Sequence, residues 1–133
     1  MPGSRRSPFA YTVLRIVPRV ERGECMNAGV VLWCRTRRFL GARVHLDEER
    51  LAALDPACDP TTVARQLLAI IRVAEGDRSG GPVARLARAD RFHWLASPSS
   101  TIVQRSEVHT GLTDDPEATL EHLFESLVLP PTA

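Results

Sequence analysis

The sequence predicts an α+β fold, an antiparallel sheet of about five strands with two main helices packed mostly on one face. Three observations carry that expectation. Apolar and polar residues alternate with period two over residues 9–17 and again over 39–46, the mark of half-buried strands. Between them, residues 28–34 are apolar on every side. At Asp59-Pro60 and again at Asp115-Pro116, an Asp-Pro dipeptide stands ahead of apolar residues at helical spacing.

Residues 1–8 form a polar, turn-rich lead-in that is expected to be disordered. In the first strand Thr12, Leu14 and Ile16 share one side, and Tyr11, Val13, Arg15 and Val17 the other. Pro18 cannot donate to a ladder and ends it. A charged connection over 19–27 leads into 28–34, which suits a central strand covered on both faces. The polar turn Arg35-Thr36-Arg37-Arg38 opens the third strand. There Leu40, Ala42, Val44 and Leu46 share one face, and Phe39, Gly41, Arg43 and His45 the other. Short links between the three strands predict an antiparallel meander.

Asp47 caps a short helix that ends at Leu54 and packs through Leu51 and Leu54. From Asp59-Pro60, the residues Val63, Leu67, Ile70, Ile71 and Ala74 recur at helical spacing as far as Gly76, a C-terminal stop. Residues 75–82 are a glycine-rich loop. Residues 91–95 and 101–105 flank Ser97-Pro98-Ser99-Ser100 and read as a hairpin. After Asp115-Pro116, the residues Leu120, Leu123, Phe124, Leu127 and Val128 form one apolar stripe, which Pro130-Pro131 terminates. The pattern predicts a single domain over 9–129.

All 17 basic residues are arginine, which removes Schiff-base chemistry, a lysine general base and a phosphate-cradling P-loop lysine. The net charge of +1 makes nucleic acid an improbable partner, although Arg35, Arg37 and Arg38 form a local basic turn. The longest apolar run, residues 28–34, falls far short of the roughly 20 residues that span a bilayer, so no membrane association is expected. Cys25, Cys34 and Cys58 are odd in number and lack a CxxC spacing, which fits reduced thiols in a cytoplasmic protein.

No catalytic spacing is present. His45, His93, His109 and His122 lie on four separate predicted elements without HxH or HExxH spacing, so neither metal nor other cofactor is expected. Gly80-Gly81 lacks the spacing of a phosphate loop. The acidic pairs Glu48-Glu49 and Asp114-Asp115 stand at helix starts, where the helix dipole explains them. What remains is a face. If Leu14 and Ile16 meet the helices, Arg15, Arg43 and His45 share the opposite, helix-free face near Tyr11 and Phe39. Arginines so placed could receive a phosphate, a carboxylate or an acidic partner chain, or could simply be a solvated sheet face. Asn27, the chain's lone asparagine, precedes the central strand and is expected to bond nearby backbone amides.

The run Tyr11-Thr12-Val13-Leu14-Arg15-Ile16-Val17-Pro18, followed by Arg22-Gly23-Glu24-Cys25-Met26-Asn27-Ala28-Gly29-Val30-Val31-Leu32, resembles the bacterial family called domain of unknown function 3037. The pattern falls on Arg15, Pro18, Glu24, Asn27 and Gly29, and the resemblance extends over about residues 9–128. With Glu24 supplied by that pattern, the candidate binding residues are Arg15, Glu24, Asn27, Arg43 and His45. Members of the family are often encoded beside HipA-like serine/threonine kinase proteins, which implies such a protein as a partner. Two functions follow as expectations. The first is a non-catalytic accessory or interaction protein, working with a HipA-like kinase or with a second copy of itself. The second is a small enzyme or sensor that binds an anionic, phosphate- or carboxylate-bearing small molecule.

Overall fold

The computed structural model describes residues 5–99 and 101–131. Its centre is a five-stranded antiparallel sheet. Strands β1 (Ser7–Ile16), β2 (Met26–Cys34) and β3 (Phe39–Val44) form the expected meander, and β4 (Val103–Arg105) and β5 (His109–Thr113) both pair with the far side of β1. Four helices complete the fold: α1 (Glu48–Leu54), α2 (Pro60–Glu75), α3 (Arg88–Ala96) and α4 (Pro116–Leu127). Part of the expected lead-in, residues 1–4, lies outside the described residues. From Ser7, which is buried and pairs with Thr113, the chain is already strand.

The cap signals act where the sequence places them. Asp47, Asp59 and Asp115 each accept a hydrogen bond from an amide of the first turn, at Arg50, Thr61 and Ala118. Gly76 ends α2 in the left-handed conformation, with φ of 70°.

One expected hairpin is a helix instead. Residues 91–95 belong to α3, and only the short β4 remains of the second expected strand. Phe92 and Leu95, three apart, are the two buried positions, which is helical rather than alternating burial. The helix carries no start signal, because its N-cap is Ala87 and makes no side-chain bond. The sheet keeps five strands because β5 supplies the missing one.

Three helices cover one face of the sheet. There Leu14, Ile16 and Val31 pack against Leu51 of α1, Val63, Leu67 and Ile70 of α2, and Phe92 and Leu95 of α3. The opposite face, expected to be free of helices, is crossed by α4. Val30, Leu32 and Cys34 project to that side from β2 and are covered by Leu120, Phe124 and Val128, with Phe9, Tyr11 and Phe39 around them. The physical reason is β2 itself: a strand apolar on both sides leaves one of them in water unless a second layer closes over it.

Two irregularities tune the sheet. The register shifts by one residue between Leu14, opposite Gly29, and Arg15, opposite Asn27, so Ala28 is an extra residue on β2. Gly29 beside it has no room for a side chain, since a Cβ would lie 2.9 Å from the Arg43 carbonyl oxygen, from Leu14 and from Val44. On the other side of β1, Ser106 interrupts the edge between β4 and β5. It is buried, its amide donates to the Val13 carbonyl at 2.8 Å, and its hydroxyl accepts from the Val13 amide at 2.8 Å. The Thr12 hydroxyl donates to the Ser106 carbonyl at 2.8 Å. A serine side chain thereby stands in for a missing ladder group at the break.

Candidate functional site

The five residues singled out by sequence do not gather into one pocket. Arg43 is engaged by α4: its guanidinium pairs with Glu121 and lies over the Phe124 ring, 4.8 Å from the centroid. Asn27 donates from Nδ2 to the Leu127 carbonyl at 2.9 Å, one of the carbonyls left open at the α4 C-terminus. This differs from the expected local turn role, because the partner lies 100 residues away in sequence. Arg15 is half-buried on the same face, opposite Asn27 on β2 and Gln104 on β4. Among the described residues it has no ion pair. His45 is exposed, just past β3, and its amide donates to the Ala28 carbonyl at 2.8 Å. Glu24 stands elsewhere, on the exposed 19–25 connection, where Arg22 Nε donates to it at 2.5 Å. That hydrogen bond and charge hold the Glu24 carboxyl below its ordinary range.

Glu24 does border a cleft, of about 670 Å³, lined also by Pro18, Arg19, Arg22, Leu54 and Asp55. Arg19 Nε donates to Asp55 Oδ2 at 3.1 Å, and the other Asp55 oxygen accepts from the Ala57 amide at 3.0 Å. These bonds tie the 19–25 connection to the turn between α1 and α2. The neighbouring thiol of Cys58 is held protonated by burial and by the charges of Asp55 and Asp59, which raise its pKa. Cys34 is buried beneath α4. Among the described residues no three His, Cys, Asp or Glu side chains converge to hold a metal ion, and no helix is long and apolar enough to cross a membrane.

The feature that sequence reasoning missed is the β5 edge. β5 pairs with β1 on one side only, so its other side presents unpaired main-chain groups. Leu112 on it is 60% exposed and Val108 just before it 45%. Along the same end of the sheet Phe9, Tyr11 and His109 make a row of rings, with centroids 6.0 and 5.2 Å apart. Gly111 lets the Phe9 ring lie close over β5, because a Cβ there would stand 2.7 Å from it. The available signal was the placement of Phe9 and Tyr11 at alternating positions of β1. β5 itself, His-Thr-Gly-Leu-Thr, has a single large apolar residue and no alternation to detect.

A family model described as protein of unknown function, DUF3037, matches residues 11–128. The chain belongs to this family. Of this DUF3037 protein the match takes in all four helices and the whole sheet apart from the first residues of β1. The expected resemblance, drawn from Arg15, Pro18, Glu24, Asn27 and Gly29, is therefore correct. No curated protein and no solved structure gives a significant match.

Proposed function

We propose that this DUF3037 protein is a non-catalytic accessory protein that binds a protein partner by adding an extended segment to the β5 edge. The observation that carries the reading is the combination at that edge of an unpaired strand with exposed Val108 and Leu112. Strand addition draws affinity from main-chain hydrogen bonds and specificity from alternate side chains. The edge supplies both. The partner segment is extended, with apolar residues placed to meet Val108 and Leu112. The engagement of Arg43 with Glu121 also favours this reading over an anionic small molecule held by Arg15 and Arg43, since such a ligand has to displace Glu121 first.

The first partner to test is the HipA-like kinase protein that the family resemblance implies, and the second is another copy of the chain. Purified protein is mixed with the kinase at micromolar concentration, and complex formation is followed by size-exclusion chromatography with light scattering. A complex is expected, and Val108→Asp with Leu112→Asp is expected to abolish it while leaving the fold intact, because both side chains are exposed. A complex that survives the double substitution removes the edge from the reading. Absence of both the hetero-complex and a homodimer removes these two partners.

A further inference from the structure

The segment between α2 and α3 folds back on itself through two 3₁₀ turns, Arg78–Gly80 and Pro82–Arg85. Gly76 and Gly81, both at positive φ, permit the two reversals. The result is a concavity of about 570 Å³ lined by Gly76, Arg78, Ala84, Arg85 and Arg91. Three of these five residues carry guanidinium groups, and no carboxylate lines the cavity. Asp77, between Gly76 and Arg78 in sequence, is turned to the Ser79 amide, from which its carboxylate accepts at 2.9 Å. Among the described residues Arg78, Arg85, Arg88 and Arg91 form no ion pair.

Arg91 is the least satisfied of them. Its Nη1 donates to the Ala84 carbonyl at a long 3.4 Å. Its Nε is buried without any acceptor, the one such side-chain atom among the described residues. The guanidinium packs directly against Gly76, where a Cβ would lie 2.5 Å from Nη1. Burial and the charge of Arg88 both disfavour the Arg91 cation and lower its pKa. A concave surface that gathers like charges, desolvates one of them and leaves it a spare donor lacks a counter-charge.

We infer that this cavity is a binding site for a phosphate group, either free or as the phosphoryl end of a small molecule. Three guanidinium groups approaching from different elements offer more donors than the two oxygens of a planar carboxylate accept, whereas a tetrahedral dianion presents an oxygen to each. Glu75, Asp77 and Asp90, which adjoin lining residues in sequence, and the overall charge of +1 disfavour a long nucleic-acid backbone. The site is remote in sequence from β5 and does not depend on partner binding there.

Isothermal titration and thermal unfolding of the full chain test the site, with inorganic phosphate in one arm and adenosine monophosphate against adenosine in the other, at matched ionic strength. Saturable binding is expected in at least one arm, with a rise in Tm. Tighter binding of the nucleotide than of phosphate assigns the site to a phosphorylated small molecule, and equal binding assigns it to free phosphate. Arg78→Gln and Arg85→Gln, at exposed positions, each weaken binding about tenfold, as expected for loss of one charge-assisted contact. The double substitution Arg35→Gln with Arg38→Gln, on the β2–β3 turn, leaves it unchanged. The inference is overturned by no saturable binding in either arm, by full binding in Arg78→Gln with Arg85→Gln, or by a duplex DNA that binds more tightly than either small probe.

Discussion

The two faces of the sheet are closed by different means. On the side of α1, α2 and α3 the cover is almost purely apolar, with Leu14, Ile16, Leu51, Val63 and Leu95 essentially without solvent contact. On the α4 side a smaller apolar cluster is fastened by polar contacts along the length of one helix. The Thr113 and Thr119 hydroxyls bond at 2.6 Å near its start, Arg43 meets Glu121 and Phe124 in its middle, and Asn27 holds its last carbonyl. Where little area is buried, orientation has to come from directional bonds. The large face carries the stability, and the small face sets where α4 sits. Local opening therefore has an obvious route, release of α4 with the rest of the sheet intact.

The comparison can be broken at either face. The largest effect is expected on the large one: Leu14→Ala should cost about 3 kcal/mol and lower the protection of every element together, read by urea unfolding and hydrogen exchange. A cost below about 1 kcal/mol would overturn the assignment of stability to that face. On the small face Phe124→Leu should cost about 1.5 kcal/mol, combining a reduced fit with loss of the ring under Arg43. Its signature is selective loss of protection in α4 while α2 stays protected. Asn27→Ala removes one hydrogen bond at the end of α4 and should cost about 1 kcal/mol, with faster exchange confined to the last turn and its surroundings. If exchange accelerates throughout, α4 is not an independent unit.

Smaller still is Arg43→Gln. Its side chain and that of Glu121 are 47% and 40% exposed, so the loss should be about 0.5 kcal/mol and should shrink in high salt. The Arg22–Glu24 pair, exposed and distant from both cores, bounds the series. Its carboxyl is depressed in the folded chain, so its contribution is present above the ordinary carboxylate pKa and fades as pH falls through the depressed value. Carboxyl NMR should find the Glu24 midpoint below the ordinary range and restore it in Arg22→Gln, with no measurable change in Tm at pH 7.

Much of this was legible in the residues. The meander follows from alternation around a doubly apolar β2, and the helix starts at Asp47, Asp59 and Asp115 follow from short side chains that cap free amides. The same doubly apolar β2 also implied a cover for its second face, which is in tension with the expected helix-free surface around Arg15 and Arg43. α3 was illegible because Ala87 provides no cap, and β5 because an exposed edge strand need not alternate. Of the candidate residues, Arg15 and Arg43 were placed on a shared face by reasoning that missed α4 lying over it, and Asn27 was read as a local turn residue rather than as a partner of Leu127.

By itself the sequence determines period, caps and stops, because these depend on neighbours one to four residues apart. It also carries the family membership, through the match over residues 11–128. The tertiary structure decides everything that turns on which face a residue occupies. The register shift at Ala28 shows why: continued unshifted from Leu14 opposite Gly29, the ladder would set Asn27 opposite Ile16 in the large core, whereas the shift sets it opposite Arg15, towards α4. A single slipped register, invisible to periodicity, converts an apparent turn residue into the clasp of a helix 100 positions away.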